Sequence, residues 1–276
     1  MTSLVALLVV GSAAMHASWN VLIKGRKGDP LAASAGLSIV WVIGGAPLLF
    51  FVEAPPAAAW PYLLASQVSH LGYFSLLIMG YRRGDLSLVY PIARGVPPLL
   101  VTAGAWAIAG EQPTPWVGAG VVCIALGVAA VAGGKFQRRS IQLALATAVF
   151  IAGYTILDGL GVREAGDFVS YVVWLTTIQG ALFAAGAVVV GGRPLVREAW
   201  ERRGTALATG TLSVAGYAVA LWAMQQAPLG SVAALRETAV IFAAILGALV
   251  LKEPFGSRRI AAATIVAAGA MMIRVG

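Results

Sequence analysis

The chain has 276 residues, 59% of them hydrophobic and 11% charged, with a formal net charge of +8. A soluble domain carries about a quarter charged residues, so this composition excludes an ordinary water-soluble fold and makes the lipid bilayer the solvent. The basic residues form no patch on a soluble domain, which argues against a nucleic-acid partner, and the single Cys123 leaves no disulfide framework and no Cys/His metal spacing.

A helix needs about 20 mostly apolar residues to cross the hydrocarbon. Apolar runs separated by charged or Pro/Gly-rich clusters predict ten spans, at 3–23, 31–52, 60–81, 86–109, 115–133, 141–160, 168–191, 205–226, 228–251 and 259–274. Span 1 has no basic segment before it and runs into Trp19-Asn20 rather than a small-residue cleavage site, so it reads as a retained helix. Its His16, Trp19 and Asn20 stand at i, i+3 and i+4 and share one face. On span 3, Gln67, His70 and Phe74 align, with Tyr73 beside them. Span 4 holds Pro91, Pro97 and Pro98, which remove backbone donors and bend a helix; Tyr90 and Arg94, four apart, share a face there. Spans 5 and 10 are rich in small residues and read as packing or dimer helices. Tyr154 and Asp158 align on span 6, and Thr209, Ser213 and Tyr217 form a stripe on span 8. Residues 191–204 read as an amphipathic surface segment, and span 9 carries Arg236-Glu237. Trp60, Trp116 and Trp200, at span ends, are expected in the interfacial aromatic belt.

Of the 19 basic residues, 15 fall in the connections after spans 1, 3, 5, 7 and 9, and only Arg163 and Arg274 fall on the other side. The positive-inside rule then places both termini outside the cytoplasm, in a multi-pass protein of the inner (plasma) membrane. The two remaining cations, Arg94 and Arg236, lie within spans. They are related by an offset of 142, as are Glu111 with Glu253 and Gly127 with Gly269. Five spans per half is an odd number, so the halves must run in opposite orientations: a first repeat over 1–134 and an inverted second repeat over 135–276. Inverted repeats are a construction of secondary transporters, with the substrate site near the midplane between them. The fold class expected is thus all-α integral membrane, ten helices as two inverted five-helix repeats.

Together with "AGEQP" at Ala109, "LKEPF" at Leu251 and the glycine-rich helix after each, this organisation resembles the EamA branch of the drug/metabolite transporter superfamily, and within it YddG-type exporters of aromatic and other neutral amino acids. The resemblance implies a central cavity lined by spans 1, 3, 4, 6, 8 and 9 and alternating access without ATP. One departure stands out. The small multidrug relatives carry a proton-coupling glutamate eight residues before a lysine in the first helix; counting back from Lys24 gives His16, which argues against proton-coupled export of cationic drugs.

An ionisable side chain in a span costs about 3 kcal/mol even on the lenient insertion scale, so it faces the bundle interior and marks a pathway or a structural pair. Arg94 and Arg236 each lie about 12 Å from a span end at 1.5 Å per residue. Each reads either as a fork for a substrate carboxylate, with Glu237 attracting an ammonium, or as a partner in a structural ion pair. The candidate substrate-binding set is Trp19, His70, Tyr73, Tyr90, Arg94, Tyr154, Tyr217, Arg236 and Glu237, aromatics for the substrate body and arginines for its carboxylate. Glu237 is the acid placed clearly deep, which favours transport uncoupled from protons. Glu111 and Glu253, at span ends, are expected to cap helices or pair with the basic loops. No cofactor or metal is expected, and the partners are a small-molecule substrate and lipid, with the chain a monomer or weak homodimer. The alternatives are a multidrug, nucleoside or sugar-phosphate transporter of the same fold, an intramembrane enzyme, for which no HExxH, GxSxG or facing aspartate pair is present, and a structural membrane protein.

Overall fold

The computed structural model of the chain describes residues 1–25, 30–83, 86–132, 137–252 and 256–276. Among them every regular element is helical: α1 (Ser3–Lys24), α2 (Pro30–Leu48), a 3-10 turn (Ala57–Ala59), α3 (Trp60–Arg83), α4 (Leu86–Gly95), α5 (Pro97–Ala109), α6 (Pro115–Ala129), α7 (Arg138–Ala165), α8 (Phe168–Glu201), α9 (Arg203–Gln226), α10 (Leu229–Arg236), α11 (Ala239–Leu251) and α12 (Ser257–Val275). The boundaries follow local chemistry. The hydroxyls of Thr2 and Thr114 accept from the amides of Val5 (3.3 Å) and Val117 (3.2 Å), and Asp167 accepts from Val169 (3.0 Å) and Ser170 (3.2 Å), satisfying helix-start donors. Gly110, at φ 69°, ends α5 in the left-handed conformation that glycine tolerates best. Gly192 (φ 62°, ψ −160°) breaks α8, so the span ends there and the segment up to Glu201 turns aside as the expected surface helix.

Large side chains face outward along the bundle, among them Leu7, Phe50, Phe51, Val189 and Leu249. In water such a surface would aggregate; in hydrocarbon it is the required solvent-facing layer. Seven segments are long and apolar enough to cross a membrane by length and composition. Of the remaining predicted spans, α6 is shorter, α3 carries the polar Ser66, Gln67, Ser69 and His70, and α12 holds Arg258, Arg259 and Arg274.

The 142-residue offset holds in the helices themselves. It carries 97–109 onto 239–251, the bounds of α5 onto those of α11, and α4 onto the region of α10. The pairings are symmetric as well: α1 packs along α9 as α3 packs along α7, while α2 meets α8 and α6 meets α12. The bundle is therefore two five-helix repeats related by pseudo-two-fold symmetry, and α6 and α12 pack on each other within the chain. Their contact is set by glycine. A Cβ on Gly120 would sit 2.7 Å from the Gly269 carbonyl oxygen, and one on Gly269 would sit 2.7 Å from the Gly120 carbonyl oxygen. Backbone cannot give way as a side chain can, so Gly269→Val is expected to cost about 1–3 kcal/mol or more, read as a lowered midpoint of thermal unfolding in detergent.

Candidate functional site

Two predicted spans are interrupted at equivalent places. Val96 separates α4 from α5, where Pro97 and Pro98 at the start of α5 supply no amide for the preceding carbonyls. The counterpart of Val96 is Thr238, where α10 gives way to α11 without a proline. Here the chain tightens into 3-10 bonding: Glu237 N–H donates to Ala234 O (3.0 Å), Thr238 N–H to Leu235 O (3.1 Å) and Val240 N–H to Glu237 O (3.0 Å). The Thr238 hydroxyl takes up the Leu235 carbonyl as well (2.7 Å). Span 9, expected as one continuous helix, is thus broken, because side-chain and 3-10 bonds satisfy the backbone groups that a break frees.

The breaks face each other, and charge joins them. Arg94 Nη2, from the last turn of α4, lies 2.7 Å from Glu237 Oε1 between α10 and α11, with both side chains largely buried. The buried pair is therefore Arg94 with Glu237, one group from each repeat, rather than the adjacent Arg236-Glu237. Arg236 is half-buried and its guanidinium sits 5.2 Å from the ring centroid of Tyr217, a cation–π contact. Among the described residues no carboxylate or carbonyl accepts from Arg236, and none donates to the second oxygen of Glu237.

Aromatic groups gather beside these charges. His70 stacks on Tyr154 at 3.9 Å and meets Tyr217 edge-on at 6.4 Å, and Tyr73 meets Tyr154 edge-on at 6.0 Å. His70 Nδ1 is 3.0 Å from the Ser66 carbonyl oxygen, a contact that requires the Nδ1–H tautomer. Trp19 packs edge-on against His16 at 5.1 Å, as their i, i+3 spacing predicts. Arg94, Pro97, Pro98, Tyr154, Arg236 and Glu237 line one cleft together with Val101, Ile151, Thr155 and Ala233. The prolines thus stand on the wall of a cleft, where irregular backbone is tolerated.

Other candidates lie elsewhere. Thr209 bonds the Thr205 carbonyl (2.9 Å) and Ser213 receives the Trp41 indole N–H (3.0 Å), so that part of the span 8 stripe serves packing between α2 and α9. Phe74 stacks on Phe183 of α8. Trp116 and Trp200 are exposed, whereas Trp60 meets Trp174 edge-on at 5.3 Å and bonds the Pro55 carbonyl (3.0 Å). The side chain of Tyr90, the residues Arg26, Lys27, Lys135 and Glu253, and the side chains of Arg82 and Arg83 fall outside the described residues.

Two further acids bear on the site. Glu111, expected to cap a helix or pair with the basic loops, does cap one, accepting the Leu229 amide at the start of α10 (2.7 Å), and its charge partner is Arg163 on its own side (2.6 Å). Arg163 also donates to the Met224 (2.7 Å) and Ala227 (2.9 Å) carbonyls, so the two residues staple the loop after α5 to the ends of α7, α9 and α10. Glu111→Gln is expected to weaken this junction by about 1–3 kcal/mol, measured by thermal unfolding in detergent. The second is Asp158, which the sequence reading passed over as a deep acid: it is fully buried on α7, so Glu237 is not the lone one.

The model of the EamA-like transporter family matches residues 3–133 and again 138–275, one copy on each repeat. The chain belongs to the EamA-like transporter family. It is accordingly a multi-pass membrane transporter of metabolites or drugs, in a family of transporters rather than enzymes. No curated protein matches it. A solved structure described only as "Crystal structure of protein" is 18% identical and superposes with a TM-score of 0.77 over 100% of this chain and 99% of that one, a likeness of fold. For an EamA-like chain, the cleft where broken helices from both repeats meet is the natural candidate for the transport site.

Proposed function

We propose that this EamA-like chain exports amino acids, aromatic or otherwise neutral, or similar small carboxylate-bearing metabolites, by alternating access of its two repeats around the cleft at the helix breaks. The observation that carries this reading is Arg236, a cation inside the bundle with no hydrogen-bond acceptor among the described residues, next to the uncommitted second oxygen of Glu237. A guanidinium fork matches a carboxylate in two parallel bonds, and an ammonium on the same substrate meets Glu237. Arg94, already bound to Glu237, fixes that carboxylate in place. Tyr154, His70, Tyr73 and Tyr217 give stacking and edge surfaces for a side chain, and we keep Trp19 and Tyr90 in the proposed substrate-binding set. A cationic drug would meet Arg236 as a like charge, and a doubly charged sugar phosphate would call for more than one free cation.

The repeats divide near residue 134, and we place the protein in the inner membrane as a monomer or weak homodimer with both termini outside the cytoplasm, a reading supported by the basic connections. The test is flux in proteoliposomes across labelled amino acids, nucleosides and cationic dyes. Saturable counterflow of neutral amino acids is the expected result; flux of dyes or nucleosides alone would overturn the assignment.

A further inference from the structure

Asp158 stands on α7 one turn beyond Tyr154 and is fully buried. The Tyr171 hydroxyl of α8 donates to its Oδ1 at 3.2 Å and the Tyr217 hydroxyl of α9 donates to its Oδ2. Among the described residues no lysine, arginine or histidine forms an ion pair with it. The titratable or charged groups facing it from the packed helices are His70 on α3, Tyr154 on its own helix, Tyr171 on α8, Tyr217 on α9 and Arg236 on α10, the last lying across the Tyr217 ring. From α4 comes Arg94, which is held by Glu237; α5 and the 3-10 turn carry no ionisable residue.

Hydroxyl donors alone would be satisfied by an asparagine carbonyl at lower cost than by a carboxylate within a span. What a carboxylate adds is the capacity to gain and lose a proton. The shell around Asp158 suits both forms, because a hydroxyl donates to a carboxylate and, after rotating, accepts from a carboxylic acid. Both donors come from the second repeat, and the Tyr217 ring meets His70 of the first edge-on at 6.4 Å, so a change in protonation that shifts Tyr217 bears on a contact between the repeats. Tyr217 links the two sites, its hydroxyl on Asp158 and its ring under Arg236.

We propose that Asp158 is a proton-binding site that couples transport to the proton gradient, a reading that rests on the cleft being the transport site. In the step itself a proton from water on one side adds to a carboxylate oxygen of Asp158, and after the repeats rearrange the same O–H bond breaks to release it on the other; nothing is oxidised or reduced. The test uses the full-length protein in proteoliposomes containing a pH-sensitive dye, with L-phenylalanine as the probe. In the wild type a phenylalanine gradient is expected to move protons. Asp158→Asn is expected to keep counterflow within roughly twofold and to lose the linked proton movement by about tenfold or more. Infrared spectra of the reconstituted protein supply a readout that needs no substrate: a carboxylic-acid C=O band that appears and disappears with pH in the wild type and is missing in Asp158→Asn. If Asp158→Asn does not fold, Tyr217→Phe, which keeps the carboxylate and removes one donor, is expected to shift the pH at which that band changes. Proton movement in Asp158→Asn equal to wild type, a band unchanged by that substitution, or a band indifferent to Tyr217→Phe would overturn the proposal. Absence of phenylalanine counterflow in the wild type would instead count against the amino acid reading of the cleft and leave the infrared result to decide Asp158.

Discussion

Arg236→Gln is expected to reduce flux of carboxylate-bearing solutes by about tenfold to a hundredfold while leaving the thermal unfolding midpoint close to wild type. A hydrogen bond to a charged group contributes about 1.5–3 kcal/mol, and each 1.4 kcal/mol is a tenfold change in affinity. Stability is largely spared because no acceptor among the described residues depends on Arg236 and Arg94 still holds the neighbouring Glu237; what is lost inside the protein is one cation–π contact with Tyr217, of about 0.5–2 kcal/mol, and part of the attraction on Glu237. Counterflow in proteoliposomes and thermal unfolding of the same preparations check both halves. A structural Arg236 would give the opposite pattern, a lowered midpoint with flux per folded molecule unchanged.

The Arg94–Glu237 pair is expected to behave in the reverse way. Removing one partner leaves the other charge buried and alone, which costs about 3–5 kcal/mol, whereas replacing both by apolar residues of similar size is often neutral or stabilising. Arg94→Leu and Glu237→Leu should therefore each lower the unfolding midpoint sharply, and the double variant should recover most of that loss. Flux should not recover with it, since Glu237 is assigned to the substrate as well as to Arg94. A double variant as unstable as the singles would mean that the 2.7 Å contact is incidental to the fold.

The span boundaries were legible because apolar runs end at charged or proline-rich clusters, and the helices begin and end within a few residues of them. The break between α4 and α5 was foreshadowed by Pro97 and Pro98. The break between α10 and α11 had no such local mark, since "LRETAV" contains neither proline nor glycine; it becomes legible only by carrying Val96 forward 142 residues to Thr238. The partner of Arg94 was not legible, because nothing along the chain says that residues 94 and 237 meet across the repeats. The depth of Asp158 is not legible because the apolar run of span 6 stops at 160, two residues beyond it, whereas α7 continues to Ala165, which moves the acid further from the helix end. Thr209 and Ser213 shared a helical face with Tyr217, but hydroxyls can be satisfied by their own helix or by a neighbour's indole, as these are, so periodicity alone could not aim them at the cleft.

In the function proposed above, this EamA-like chain moves carboxylate-bearing solutes through a cleft in which Arg236 holds the carboxylate. Counterflow of labelled L-phenylalanine into proteoliposomes, wild type against Arg236→Gln and in competition with the unlabelled amide lacking the carboxylate, tests it most directly. The expected result is saturable wild-type flux that the amide competes for poorly and that falls by about tenfold or more in Arg236→Gln. Wild-type flux blocked equally well by the amide, or unchanged by Arg236→Gln, would contradict it.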